Sequence, residues 1–260
     1  MSNGIAFLMY HELQSPGRAL CEDSAGYARY VVTEDDFRKQ LEVVETNKWR
    51  GLNVTQALQS RKDAVCFTFD DGCASDLHIA APLLSEKNFN ATFYVTVNHL
   101  GRPGYLTQPE LKELSDLGFE IGSHSVSHRH LNDLTSAEIE FELAESKKRL
   151  EEIIGRRVVH FSCPGGRVNH LTTEAAVNAG YKTLATSRIG LNFVDSDPFA
   201  LNRIAIKSGL NVRAFEGLCT GRGLLLKRSE EQILTMGKRL IGNQRYDRVR
   251  ASILSLVHRQ

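Results

Sequence analysis

Ala64-Val65-Cys66-Phe67-Thr68-Phe69-Asp70-Asp71-Gly72 is the stretch on which the reading of this chain turns. Five residues of high strand propensity, Val65 to Phe69, run straight into two adjacent carboxylates and a glycine. A short apolar run closed by Gly reads as a buried strand whose last residues emerge at the sheet edge. Successive side chains on a strand point to opposite faces, so Asp70 and Asp71 are expected to diverge unless the chain turns at Gly72. Two such carboxylates suit a division of labour, one holding a metal and the other taking a proton from water. Asp-Asp-Gly is also good turn chemistry, so the rest of the chain has to decide between a plain turn and a site.

Upstream, Ile5-Ala6-Phe7-Leu8-Met9-Tyr10 reads as another buried strand, ending at His11-Glu12. Residues 14–30 form a long polar loop of the kind that is functional or mobile. Thr33-x-x-Asp36 has the form of a capping box with Asp in place of Glu or Gln, and opens a helix with Phe37, Leu41 and Val44 on one face. Downstream, strands and helices alternate. A helix near 75–88 precedes a strand over 91–97. Thr107-x-x-Glu110 caps a helix that Gly118 stops, and the short strand 119–122 leads into Ser123-His124-Ser125-Val126-Ser127-His128. Thr135-x-x-Glu138 caps the longest helix, stopped by Gly155. A strand over 157–163 ends at Pro164-Gly165-Gly166, a helix runs to Ala179, and strands follow at 181–186 and 201–206. This alternation predicts a parallel sheet with helices outside, and about seven strands favour a barrel. In such barrels function sits at the C-terminal strand ends. His11, Asp70-Asp71, His124/His128 and Pro164-Gly165-Gly166 all fall there.

At 260 residues the chain is long enough for one large α/β domain with a full core, and 42% apolar residues argue against disorder. The net charge of +1 gives no global case for nucleic acid. It is unevenly spread. Residues 221–260 hold nine Lys/Arg against three Asp/Glu, which leaves −5 for residues 1–220. A barrel over 1–220 followed by a basic helical extension over 221–260 is therefore expected, with Ser229-x-x-Gln232 capping a helix that carries Ile233, Met236, Leu240 and Ile241 on one face. That helix is expected to pack on the barrel, weak association with an anionic membrane surface being the alternative. No apolar run approaches the ~20 residues of a membrane span, and no Gly-x-Gly-x-x-Gly or Walker-type loop supports nucleotide binding. Five scattered cysteines, Cys21, Cys66, Cys73, Cys163 and Cys219, with no C-x-x-C pair, speak against a disulfide framework or a structural zinc site. With no signal-peptide pattern at the N-terminus, the expectation is cytoplasmic.

His124 and His128 bracket three residues just after a predicted strand. Imidazoles four apart converge on one cation if the segment begins a helical turn. His130 and His160 read instead as histidines satisfied by their surroundings. Two imidazoles and a carboxylate with open positions form a catalytic rather than a structural metal set, suited to zinc and equally to Fe(II).

Thr68-Phe69-Asp70-Asp71-Gly72, His124-Ser125-Val126-Ser127-His128 and Phe161-Ser162-Cys163-Pro164-Gly165-Gly166 together resemble the polysaccharide deacetylase family, the NodB-homology carbohydrate esterases. The likeness runs over about residues 5–206. It implies a distorted (β/α)7 barrel in which Asp71, His124 and His128 bind one divalent ion, usually Zn2+ with Fe2+ or Co2+ possible, and Asp70 is the general base. It also implies that the Gly165 N–H points at the oxyanion. Two departures stand out. The family's third motif carries Arg two residues before its Pro, where this chain has Ser162; Arg203 is the candidate replacement. The family's final Leu-x-His motif is absent after residue 166, and His258, behind Leu256-Val257, lies in the basic terminal segment. Leu8-Met9-Tyr10-His11 resembles the missing motif with one residue inserted. Since the first and last strands of a closed barrel are neighbours, it implies a circularly permuted barrel in which His11 donates a proton to the leaving amine.

The expected activity is therefore hydrolysis of the N-acetyl group of an amino sugar in an oligosaccharide, a polysaccharide or a lipid-linked glycan. Its alternatives are a small-molecule amidohydrolase acting on a cyclic amide with the same metal site, and a binding module that has lost catalysis. Trp49, Tyr27, Tyr30 and Tyr105 are aromatics that could stack on sugar rings, although core or surface placement is the plainer reading of each.

Overall fold

In the computed structural model, which describes residues 4–60 and 63–224, the chain forms strands β1 (Ile5–Tyr10), β2 (Glu12–Gln14), β3 (Val31–Thr33), β4 (Arg50–Leu52), β5 (Ala64–Phe69), β6 (Thr92–Val95), β7 (Glu120–Ser123), β8 (His160–Ser162), β9 (Thr183–Ala185), β10 (Leu191–Asn192) and β11 (Ile204–Ala205). The helices are α1 (Ala25–Ala28), α2 (Glu34–Thr46), α3 (Val54–Gln59), α4 (Ala81–Glu86), α5 (Gln108–Asp116), α6 (Ser136–Ile154), α7 (His170–Asn178) and α8 (Val212–Cys219). The main sheet runs β10-β1-β5-β6-β7-β8-β9, parallel throughout except for β10. β1 lies against β5 in the register Ala6 to Val65 through Tyr10 to Phe69. The N-terminal strand thus sits beside the Asp-Asp-Gly strand, as the permuted order requires.

The segment after β10 closes the ring. Leu201 bridges Ala185 in parallel, and its N–H donates to Leu184 O at 3.0 Å while Thr186 N–H donates to Leu201 O at 2.9 Å. A few residues on, Ile204 and Ala205 pair with Leu8 and Met9, and Ile206 N–H donates to Met9 O at 2.9 Å. Residues 201–206 therefore join β9 to β1, completing the expected (β/α)7 barrel as a single domain.

Strand alternation sorts the buried side chains into two layers. Ala6, Leu8, Tyr10, Val65, Phe67 and Phe69 face the helices and join the large core, where Tyr10, Phe69 and Phe93 stack in sequence at 5.1 and 4.9 Å and Phe119 meets Phe93 edge-on at 5.5 Å. Ile5, Phe7, Cys66, Tyr94, Ala185 and Leu201 form a separate inner cluster. The same phase carries Thr68, Asp70 and His11 toward the inside of the barrel at its C-terminal mouth.

The helix ends follow the sequence signals with one exception. Thr107 and Thr135 make full capping boxes with Glu110 and Glu138, and Gly155 ends α6 in the left-handed region at φ 68°. At Thr33 only the hydroxyl's half is found, accepting from Asp36 N–H at 3.1 Å. Aspartate is a methylene shorter than the glutamate that reaches back in the other two. The helix near 75–88 starts as a wide π turn over Asp76–Ala80 before α4. The 14–30 loop is less open than expected, since it contains α1 and connects β2 to its parallel partner β3. The 229–241 helix and His258 lie outside the described residues. Among the described residues no helix is long and apolar enough to cross a membrane.

Candidate active site

Asp70 and Asp71 do not diverge. Asp70 keeps the inward phase of β5, its N–H donating to Tyr10 O at 3.0 Å. Asp71 then leaves the strand with φ 82°, and Gly72 continues at φ 81°. The chain turns one residue earlier than the sequence suggests, so both carboxylates face the same imidazole: His124 Nε2 is 3.9 Å from Asp70 Oδ2 and 3.5 Å from Asp71 Oδ1. A left-handed conformation is unusual for a non-glycine residue and concentrates at functional sites.

The two histidines converge by a different route from the one predicted. Residues 124–128 form an irregular loop after β7 rather than a helical turn, with Ser125 at φ 68° and His128 at φ 61°. Glu142 of α6 holds that loop, accepting from Val126 N–H at 2.8 Å, Ser127 N–H at 2.9 Å and the Ser127 hydroxyl at 2.5 Å. The rings end 4.9 Å apart, with His128 Nε2 at 3.2 Å from Asp71 Oδ1. Glu142 is missing from the sequence reading. Its signal was available: it falls in the 139, 143, 146, 150 stripe that α6 buries, where a carboxylate needs a partner.

The Asp70 carboxylate is gripped by Arg203 through two bonds, Nη1 to Oδ1 at 2.7 Å and Nη2 to Oδ2 at 2.8 Å. Arg203 is 1% exposed. It also donates Nε to Thr186 O at 2.9 Å and Nη2 to Ser162 Oγ at 2.8 Å, and its guanidinium lies 5.5 Å from the Tyr94 ring centroid. Ser162 in turn donates to Asp70 Oδ2 at 3.2 Å. The arginine absent from position 162 is thus present in space, reaching from the segment that closes the barrel, and the serine fits between it and the carboxylate. Burial alone would raise the Asp70 pKa; Arg203, followed by His124, outweighs it and holds the carboxyl below its ordinary value.

His11 follows β1 at the same mouth. Its Nδ1 is buried without a hydrogen-bond partner, and its ring is 4.9 Å from that of Tyr30. The Pro164–Gly166 turn follows β8, with Gly165 at φ 64° against the His130 ring, where a Cβ would meet Cε1 at 2.6 Å. Pro164 has no N–H and Gly166 N–H donates to Cys163 O at 2.8 Å, which singles out the Gly165 N–H. His160 is satisfied by Thr55, Glu120 and Thr183, away from this mouth. Of the aromatics, Trp49 packs on the core, Tyr27 lies on Cys73, and Tyr105 stacks on His99 at 4.5 Å.

Asp71, His124 and His128 bring one donor atom each within 4.8 Å of one another. Their chemistry fits a divalent cation. His124 Nδ1 donates to Ser162 O at 2.8 Å, which fixes the tautomer and turns the Nε2 lone pair to the cluster. Burial pushes the His124 pKa down to about 4, so the ring is neutral. His128 is shifted up: burial opposes its charge, but the Asp71 carboxylate more than offsets it. Asp71 Oδ1 is buried with no well-formed hydrogen bond although two imidazoles approach it. Three donors thus crowd one point that a positive charge would satisfy.

Comparison with known proteins agrees with this geometry. The sequence profile described as polysaccharide deacetylase matches residues 57–184, spanning the aspartate, histidine and Pro-Gly-Gly motifs. The Bacillus subtilis protein YxkH is 29% identical over 211 residues, 81% of this chain and 74% of its own length. A peptidoglycan-N-acetylglucosamine deacetylase of Bacillus cereus is 29% identical over 52% of this chain and 61% of its own. A chitooligosaccharide deacetylase of Azorhizobium caulinodans is 31% identical over 44% and 54%; these last two matches cover less than two thirds of their relatives' lengths. Among solved structures, the Streptococcus pyogenes deacetylase PplD superposes with a TM-score of 0.74 at 23% identity, over 84% of this chain and 99% of that one. IcaB from Ammonifex degensii gives 0.72 at 20% identity, over 84% and 97%. With the barrel, the motif order and the profile in agreement, the chain belongs to the polysaccharide deacetylase family.

Proposed function

We propose that this protein is a metal-dependent hydrolase that removes the N-acetyl group from an amino sugar in an oligo- or polysaccharide, with Asp71, His124 and His128 as the metal ligands. The observation that carries this reading is a carboxylate kept ionised by a buried arginine, Asp70, directly beside that three-donor cluster at the C-terminal ends of the barrel strands. The named activities of the Bacillus cereus and Azorhizobium relatives support an N-acetylglucosamine polymer as the substrate class.

Asp71, His124 and His128 would hold a divalent ion, which when bound would supply a lowered water pKa, toward ~7, and polarisation of the substrate carbonyl. Asp70 takes the proton from the attacking water. Its two bonds to Arg203 fix its orientation and leave it the acceptor, because a guanidinium does not give up its proton. The Gly165 N–H stabilises the charge that develops on the carbonyl oxygen, a contribution of about 10²–10³ in rate for such donors. His11, which follows β1 beside the Asp70 strand, hands a proton to the nitrogen as the C–N bond breaks.

The test is acetate release by zinc-loaded protein from N-acetylglucosamine oligomers, lipid-linked amino sugars and cyclic ureides. Release from the oligomers is expected, with Asp70→Asn retaining metal and losing most turnover. Ring opening of a ureide without acetate release would replace this substrate class, and full metal occupancy with no turnover on any of them would leave a binding module.

A further inference from the structure

Outside the active site the fold assembles a second donor set. Glu12 of β2, Cys21 of the 14–30 loop and Cys73 of the turn after β5 each present one donor atom within 4.8 Å of the other two. The cysteines that look scattered along the sequence meet in space. Glu12 and Cys73 are fully buried and Cys21 is half-buried. The Glu12 carboxylate accepts from Arg18 Nη1 at 2.8 Å and from Cys21 N–H at 3.3 and 3.0 Å. Cys21 Sγ–H donates to Gly104 O at 2.9 Å, and the Tyr27 hydroxyl lies 3.4 Å from Cys73 Sγ. Arg18 also donates to Leu13 O and Gly104 O.

A second observation at the same place points to a missing positive charge. Asp76, on the π turn three residues beyond Cys73, is fully buried, and neither carboxylate oxygen has a hydrogen-bond partner. Buried carboxylates are ordinarily paired or bound to a metal. Burial first, and then the neighbouring Cys21, Asp71 and Glu12, push the Asp76 pKa well above the ordinary carboxylate value against the opposing pull of Arg18, so the group is held without the positive partner that would stabilise its carboxylate.

We propose that Glu12, Cys21 and Cys73 form a second cation site, for a thiophilic divalent ion of the Zn2+ class, with the unpartnered Asp76 carboxylate in its field. Two sulfurs and a carboxylate are donors that borderline-soft ions take and Mg2+ or Ca2+ do not. Two thiol protons leave as one dication enters, so the local charge is conserved and Arg18 keeps its bond to Glu12. The ion would tie β2 and the 14–30 loop, which carries the Tyr30 ring against His11, to the turn that follows Asp71. The site is independent of the catalytic reading, because the Asp71-His124-His128 cluster contains no sulfur.

Cobalt titration of the thiol-reduced full-length protein distinguishes the two sites, since only thiolate ligation gives an intense near-ultraviolet charge-transfer band. His124→Ala, which disables the first cluster, is expected to keep one tightly held equivalent of Co2+ or Zn2+ together with that band. Adding Cys21→Ser, at the half-buried position, should diminish the band, with Cys73 left as the one thiolate, and weaken retention at least tenfold, with the far-ultraviolet spectrum of the folded chain preserved. The proposal is overturned if saturating Co2+ gives the His124→Ala protein no thiolate band. It is overturned equally if Cys21→Ser leaves the band undiminished, or if Cys21 and Cys73 are recovered as a disulfide, two mass units lighter, that takes up no metal after reduction.

Discussion

At the scale of single residues, the pair that matters most is Asp70 and Arg203. Both are buried, and their attraction is directed through two parallel hydrogen bonds. Removing one member of such a pair leaves an uncompensated charge, at a cost of about 3–5 kcal/mol. Arg203→Met should therefore lower the unfolding midpoint and the rate together. The pH profile separates the two effects. Asp70 must be ionised to accept a proton, and burial raises its pKa while Arg203 lowers it more. The wild-type rate should hold until the pH falls below the ordinary carboxylate range; in Arg203→Met the acid limb should move to higher pH. An acid limb that does not move would separate Arg203 from the base. His11 is tested by leaving group. His11→Ala should keep its metal and slow acetamides by about 10²-fold or more while sparing acetate esters with good leaving groups. Equal losses on both would assign His11 a structural part.

At the scale of elements, the site depends on loops pinned by helices. The 124–128 loop has two residues in the left-handed region and no helical hydrogen bonds of its own to set the imidazoles. Glu142, from the middle of α6, supplies the acceptors that hold it. Glu142→Gln replaces one acceptor oxygen with a donor that cannot receive a backbone N–H. We expect metal affinity to fall about 10–100-fold, as for other groups that orient ligands, with the helix content unchanged. Competition with a chromophoric chelator measures it, and unaltered affinity would mean that the loop holds its shape without α6.

For the whole molecule, the consequence is acid sensitivity. Glu120 is half-buried at the start of β7, the opposite end of the barrel from Asp70. Burial would raise its pKa, but His160, Thr55 and Thr92 together bring it below its ordinary value. Both carboxylates therefore bind protons less readily folded than unfolded. The stability this confers is fully present above the unfolded value of about 4 and is lost as pH falls through the depressed folded values. Urea midpoints should be flat on this account from pH 7 to about 5 and fall steeply below about 4. In Arg203→Met, which starts from a lower midpoint, the acid decline should be shallower and leave mainly the Glu120 part, because Asp70 then no longer titrates below its unfolded value.

What the sequence by itself determined is local and periodic. The run Val65 to Phe69, the capping boxes at Thr107 and Thr135 and the stop at Gly155 are each written within a few residues. Alternating strand and helix patterns then leave a parallel barrel as the consistent arrangement, and the Asp-Asp-Gly and His-x-x-x-His spacings mark its mouth. The tertiary structure decided what depends on residues far apart. Asp71 leaves the strand early, so carboxylates expected on opposite faces share one imidazole. Arg203 takes the place of an arginine missing from the neighbourhood of position 162, because closing the barrel brings residues 201–206 beside both β9 and β1. Glu142 and the meeting of Cys21 with Cys73 belong to the same class. A buried charge or sulfur takes its meaning from its partners, and those partners are fixed by the closure of the chain in space rather than by spacing along it.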